Sequence, residues 1–275
     1  MAKILIADSG STKTDWALGD VRVTTQGINP FHQDDESILG ILREELRPAL
    51  KDEVEAIRFY GSGVRPELVA RMEGLLRQVF DKAGDISAKS DMLGAARALC
   101  GRHEGLACIL GTGANSCLYD GERIVMNTPA LGYILGDEGS GATLGKEFLN
   151  ALYKGRLYEG AREEFEAETG MTMADVITKV YRQPLPNRWL ASLSKYIHRH
   201  LKEPTVRNIV VENFRKFISH NVRPYGRQDL ALGAVGSIAY YYEEQLRQAA
   251  KEEGYAVGRI LRSPIDGLVE MEQLG

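Results

Sequence analysis

The chain has 275 residues, 44% of them hydrophobic and 26% charged, with a formal net charge of -4 and a pI near 5.8. That length suits two domains better than one. The acidic balance gives no field for gripping nucleic acid, and no stretch approaches the roughly 18 apolar residues of a membrane span, so neither is an expected partner. Met1-Ala2-Lys3 runs straight into a strand without a signal-peptide pattern, which leads us to expect a cytoplasmic protein. Cys100, Cys108 and Cys117 form no C-x-x-C pair and read as reduced thiols. His198 and His200, two apart in a helical region, face different ways and suggest no metal pair.

Ile4 to Ala7 reads as a buried strand, Asp8 to Thr14 as a tight turn and Trp16 to Leu18 as a returning strand. Gly10 lets a ligand approach the backbone, Ser11 and Thr12 add hydroxyls, and Asp8 stands at a strand end where it can face a divalent cation. The alternative is an ordinary polar hairpin turn. A third strand is expected over 21–27, a helix over 35–50, a strand over 54–60, a helix from Pro66 to Val79, a strand over 86–89 and a helix over 92–100 after Ser90-Asp91. The order βββαβαβα predicts a mixed sheet with helices on its faces.

The plan then restarts. Gly105 to Leu110 is an apolar strand, Gly111-Thr112-Gly113 a second turn, Cys117 to Tyr119 a returning strand and 123–127 a third. Two such hairpin tips on related domains can face each other across a cleft and hold one ligand's phosphates from both sides. Leu131 to Gly141 carries Asp137 and Glu138 as hydroxyl acceptors, or else as a solvated acidic turn, before a helix over 142–154 capped by Ser140. The stretch 139–146 imitates a Walker A loop, but its glycine spacing is wrong and Glu147 stands where Ser or Thr is required. Residues 156–222 read as an inserted, mostly helical section. A strand over 229–232 leads through Gly233 to Ser237 into a helix reaching about Glu253; a strand over 257–261 and a terminal helix capped by Ser263 follow.

These motifs resemble the sugar kinase, heat-shock chaperone and actin superfamily, and within it the BadF/BadG/BcrA/BcrD-type ATPases and N-acetylglucosamine kinases, over nearly the whole chain. Asp8-Ser-Gly10-Ser11-Thr12 is similar to the first phosphate loop, Leu110 to Asn115 to the second, and Gly233-Ala-Val-Gly236-Ser237 to the adenosine motif. Ser90 to Ala96 resembles the segment with the catalytic aspartate, and Gly136-Asp137-Glu138-Gly139-Ser140 resembles N-acetylglucosamine kinases most specifically. Leu131-Gly132-Tyr133 departs from the Trp-Gly expected there.

The resemblance implies an α/β fold of two ribonuclease H-like, actin-like ATPase domains, residues 1–103 and 104–275, with the helical insertion in the second. It implies ATP and Mg2+ as cofactors and transfer of the γ-phosphate to an amino sugar, with N-acetylglucosamine and its 6-hydroxyl expected. Asp91 is the implied base, a plain helix cap being the alternative for it. Asp8, with the metal, and Gly10, Ser11, Thr12, Lys13, Gly111, Thr112, Gly113, Gly233, Gly236 and Ser237 would bind nucleotide; Asn29, Asp91, Asn115, Gly132 and Asp137 would bind sugar. A homodimer is left open. Two other readings stand beside this one: an ATPase that activates a 2-hydroxyacyl-CoA dehydratase-type enzyme through an iron-sulfur cluster, and a non-catalytic sugar- and ATP-binding module.

Overall fold

The protein's structure, a computed structural model, describes residues 3–10 and 12–273, so the expected loop hydroxyl of Ser11 lies outside the described residues. The chain divides into two compact units. One runs to His103 and takes in Asp120–Ile124 and the chain from Ser263 on; the other comprises Glu104–Tyr119 and Val125–Arg262.

The first unit holds β1 (Ile4–Ser9), β2 (Lys13–Leu18), β3 (Val21–Gln26), β4 (Ala56–Gly61) and β5 (Asp85–Ser90) in the order β3-β2-β1-β4-β5. β1 is antiparallel to β2 and parallel to β4. It is central, so Leu5, Ile6 and Ala7 are all buried and the strand reads as a continuous apolar run without alternation. Helices α1 (Asp35–Gly40), α2 (Val69–Val79) and α3 (Asp91–Cys100) complete the crossovers. The helix expected over 35–50 changes its hydrogen bonding after Gly40: Ile41–Leu46 is a π-helical turn and Arg47–Ala49 a 3-10 turn. Pro48 cannot donate the amide that a regular α-helix needs.

The second sheet, β10-β9-β6-β7-β8, repeats that order with β6 (Gly105–Leu110), β7 (Ala114–Tyr119), β8 (Ile124–Met126), β9 (Leu232–Val235) and β10 (Val257–Leu261). Between β8 and β9 lie α4 (Gly132–Leu135), α5 (Gly141–Tyr153), α6 (Ala161–Thr169), α7 (Met173–Tyr181), α8 (Pro186–Ser192), α9 (Ser194–Arg199) and α10 (Pro204–Phe217). The one-turn helix α4 was not expected. α10 ends as α1 does, in a π turn (Ile218–Val222) and a 3-10 turn (Arg223–Tyr225) containing Pro224. The repeated Arg-Pro pair, 47–48 and 223–224, is a second trace of the internal duplication. α11 (Ser237–Tyr241) and α12 (Glu243–Glu252) bridge β9 to β10.

Two expectations are corrected. The strand placed over 229–232 is Leu232–Val235, because Leu232, Gly233, Ala234 and Val235 are all buried and pair with β6; Gly233 therefore lies inside a strand and not in the turn. The terminal helix α13 (Ile265–Gln273) belongs with the first unit and not with 104–275. Its Gly267 rests on Ala98 of α3, where an added Cβ would lie 2.5 Å from the Ala98 carbonyl oxygen.

Candidate functional site

In the first unit the hairpin register sets Asp8 directly opposite Asp15, placing two carboxylates on neighbouring strands. Lys13 Nζ lies 2.5 Å from Asp15 Oδ2, and Ser263 Oγ lies 3.5 Å from Asp8 Oδ2 and 3.4 Å from Asp15 Oδ2. Burial, with the charges of Asp91 and Asp15 behind it, pushes the Asp8 carboxyl up to about 7 against the opposing pull of Lys13 and Ser263. Asp91 opens α3, but Ser90 is the cap: its Oγ accepts from the Leu93 amide at 3.3 Å. Asp91 Oδ1 accepts from the Met92 amide at 2.8 Å, and burial raises its carboxyl above the ordinary range. A Cβ on Gly94 would lie 2.7 Å from Tyr60 Cβ, so the glycine lets α3 press onto β4 and bring its N-terminus to the sheet edge.

Behind the turn, Ser9 and Thr14 are fully buried, their hydroxyls 2.6 Å apart. Both accept from the Ile28 amide, at 3.0 and 3.2 Å, and Ser9 Oγ donates to the Ile28 carbonyl at 2.9 Å. This anchors the segment that presents Asn29, whose Oδ1 accepts from the Phe31 amide at 3.0 Å. Gly10 has open space: the nearest atom to an added Cβ is the Lys13 carbonyl oxygen at 3.7 Å. Thr12 and Lys13 are exposed.

In the second unit the Gly111–Gly113 turn is fastened to α5. Gly111 and Thr112 carbonyls accept from the Gly141 and Ala142 amides at 2.8 and 3.2 Å, while Ser140 caps the helix through Thr143. The first amides of α5 thus serve the loop. Asp137 sits in the left-handed region, φ 54°, a conformation aspartate tolerates better than most residues. Its Oδ1 accepts from the Ala114 amide at 3.3 Å, and burial raises its carboxyl. Asn115 Oδ1 accepts from the Ser116 amide and Asn127 Nδ2, both at 2.9 Å. Glu138, expected beside Asp137 as an acceptor, is engaged by His220 at 3.2 Å and Asn221 at 3.4 Å. Burial works against its charged form, but hydrogen bonds from the backbone, His220 and Asn221 hold it below the ordinary range. Gly132 is exposed, with φ 75°, at the start of α4.

The adenosine-like turn meets the second phosphate-like loop. At Gly236, φ 118°, an added Cβ would lie 2.3 Å from the Leu110 carbonyl oxygen and 3.3 Å from the Gly111 amide nitrogen. Exposed Ser237 then opens α11 and lines a cavity of about 370 Å³ with Ser194, Lys195, His198, Ile238, Tyr241 and Tyr242. His198, given no chemistry from sequence, has Nε2 3.1 Å from the Tyr241 carbonyl oxygen. Asp15, Ser263, Lys195 and Tyr241 were also missed; only the Asp8–Asp15 pairing had a local signal, the hairpin spacing.

No helix among the described residues is long and apolar enough to cross a membrane. No family model and no curated protein matches the chain. Among solved structures it is similar to a Porphyromonas gingivalis protein described as a "putative N-acetylglucosamine kinase": 46% identity, a TM-score of 0.96, and 99% of each chain covered. It is also similar to a Chromobacterium violaceum protein of the same description, at 19% identity and a TM-score of 0.67 with 98% of each chain covered. A ROK family glucokinase from Streptomyces griseus, in complex with glucose and AMPPNP, matches at 14% identity and a TM-score of 0.55, covering 98% of this chain and 99% of that one. The last two are likenesses of fold alone.

Proposed function

We infer, because this chain belongs to the N-acetylglucosamine kinase-like family of the sugar kinase, heat-shock chaperone and actin superfamily, that it is an ATP-dependent carbohydrate kinase on the two-domain actin-like ATPase fold. We assign an amino sugar as substrate, N-acetylglucosamine with its 6-hydroxyl as acceptor, and we count the chain among the BadF/BadG/BcrA/BcrD-type ATPases. The observation that carries the reading is 46% identity across 99% of a chain described as such a kinase.

Asp91 is the base. Burial makes its ionised form a stronger proton acceptor than an ordinary carboxylate. As the sugar oxygen bonds to the γ-phosphorus, the bond from phosphorus to the β,γ-bridging oxygen breaks, ADP leaves, and the hydroxyl proton passes to Asp91. We assign the sugar's hydroxyls and amide to Asp137 and Asn115, and further sugar contacts to Asn29 and Gly132. Open backbone at Gly10 and Gly111, where an added Cβ meets nothing closer than 3.7 Å and nothing within 4 Å respectively, suits phosphate oxygens. The cavity beside Ser237 suits adenosine.

The first unit's charge fits a divalent cation. Asp8 is buried near Asp15 and Asp91, and burial first, then these two negative charges, drive its carboxyl toward the neutral form against the pull of Lys13. Asp8 and Asp15 would hold Mg2+, which when bound neutralises charge on the triphosphate.

Release of ADP, followed by a coupled assay over N-acetylglucosamine, glucosamine, N-acetylmannosamine and N-acetylmuramic acid, tests this, with the highest kcat/KM expected for N-acetylglucosamine. ATP turnover indifferent to every sugar would overturn it. The dehydratase-activator reading is disfavoured because Cys108 and Cys117 are fully buried on β6 and β7, where they cannot hold a cluster shared between copies. A non-catalytic module would bind ATP and sugar and release no ADP.

A further inference from the structure

Away from these residues, on the helical section of the second unit, we propose a binding site for a divalent transition cation, Zn2+ or a close relative, formed by Glu164, Glu168 and His200. Glu164 and Glu168 are four residues apart on α6 and share one face of it. His200 follows the last residue of α9. Glu164 Oε1 lies 3.3 Å and Glu168 Oε1 3.6 Å from His200 Nε2, and the three ligand atoms fall within 4.8 Å of one another.

The groups around this triad settle which atoms face inward. The Tyr196 carbonyl lies 2.9 Å from His200 Nδ1, and since a carbonyl can only accept, Nδ1 carries the proton. In neutral imidazole Nε2 is then a bare lone pair aimed at two carboxylate oxygens. The outer oxygens are taken from behind: Tyr158 donates to Glu164 Oε2 at 2.6 Å, and Arg199 to Glu168 Oε2 at 2.9 Å. The ring is stacked on Tyr196, centroids 4.2 Å apart, and its side chain is only 12% exposed. Each ligand is thus oriented by a partner outside the triad, as metal-binding carboxylates and imidazoles are.

Arg199 offsets one of the two carboxylate charges from behind, and the three electron-rich atoms that converge at the centre call for a further positive charge between them, either a proton on Nε2 or a metal. A charge-assisted N–H···O bond prefers about 2.7–2.9 Å, and both observed separations are longer. Ligand atoms at about 2.0–2.1 Å from a tetrahedral Zn2+ stand roughly 3.3–3.4 Å apart, which is close to the two histidine–glutamate distances. One nitrogen with two oxygens suits a borderline cation and falls short of the six to eight oxygens, in round numbers, that Ca2+ takes. Exposure of the two glutamates leaves room for water as a further ligand. A bound ion would clamp α6 to the end of α9, next to the edge-to-face contact of Phe165 with Tyr196 at 5.1 Å.

The test is titration of chelator-treated full-length protein with ZnCl2 in the absence of nucleotide, read by isothermal calorimetry and thermal unfolding. We expect, besides any ion taken up at Asp8, one equivalent that depends on this triad and raises the Tm. Because Glu168 is exposed, Glu168→Gln should fold normally, bind at least about tenfold more weakly and lose the Tm rise; His200→Gln should do the same. Cys100→Ser, which removes the one partly exposed thiol, should bind as wild type. No binding by the wild type, or equal binding by wild type and Glu168→Gln, would overturn the proposal and leave a proton as the shared charge. An equal response to CaCl2 would overturn the choice of cation.

Discussion

Asp8→Asn tests the charge economy of the first unit before any substrate is added. The Asp8 carboxyl stands at about 7 in the folded protein against 3.8 for the ordinary group, because folding buries it beside Asp91 and Asp15. At 1.36 kcal/mol per pH unit, that displacement is worth about 4 kcal/mol at full ionisation. It is an upper figure, since part of the side chain still meets water and Asp91 titrates alongside it. The sign follows from proton binding: between pH 3.8 and about 7 the native state keeps a proton that the unfolded chain has released. Raising pH through this window therefore destabilises the wild type, and above about 7 the loss is complete. Asparagine keeps the size and does not titrate.

Thermal unfolding in chelator should accordingly show Asp8→Asn gaining on the wild type as pH rises from 4 to 7, then holding a constant lead. An effect of about 2–4 kcal/mol corresponds to roughly 4–16 °C in Tm for a protein of this size. Millimolar Mg2+ at pH 8 should restore much of the wild type's stability and do little for the variant, since a cation bound only by the native state stabilises it. A lead that is flat across this pH range, or equal Mg2+ stabilisation of both proteins, would refute the argument that Asp8 is an uncompensated carboxylate built to meet a cation.

Asp91→Asn should lower kcat about 10²- to 10⁴-fold with little change in the dissociation constants of sugar and ATP; a wild-type rate in the folded variant would remove Asp91 as the base. Asp137→Ala should raise KM for the sugar far more than for ATP, at a cost of about 1–3 kcal/mol, and equal effects on both would count against a sugar-binding role. Gly10→Val should fold with near-normal Tm and bind ATP much more weakly, as the open space around Gly10 is available to a side chain only when phosphate is absent. Gly236→Ala should instead cost more than about 1 kcal/mol of stability, because φ 118° and contact with the Leu110 carbonyl both oppose a Cβ; an unchanged Tm would refute that reading.

Much of the fold was legible because strand and helix periods are local. The runs 4–7 and 105–110 announce central strands, and their recurrence about a hundred residues apart announces the duplicated sheet. The misplacements have nonlocal causes. Leu232 to Val235 became a strand because β6 lies beside it, and Ala-Val in a Gly-rich stretch does not reveal that neighbour. α13 follows β10 in sequence and packs instead on α3, β1 and β2, since Gly267 can approach Ala98 so closely. Ser263, read as that helix's cap, is turned toward Asp8, 255 residues away, a pairing no local pattern carries.

The candidate site shows the same division at finer scale. Motif likeness picked out Gly10, Gly111, Gly113 and Gly236 alike, because a glycine in a turn looks the same whether fold or ligand demands it. The contacts separate them. Gly236 is required by the chain's own backbone, and at Gly113 a Cβ would press within 3.1 Å of Asp137 Oδ2, whereas Gly10 and Gly111 face open space. Substitution at the first pair should therefore surface as lost stability or a displaced Asp137, and at the second as lost nucleotide affinity in a protein that folds. One kind of residue in related loops thus divides by whether anything lies closer than 3.4 Å to its missing side chain, and measuring Tm and ATP affinity together across the four positions distinguishes loops shaped by the protein from loops shaped for phosphate.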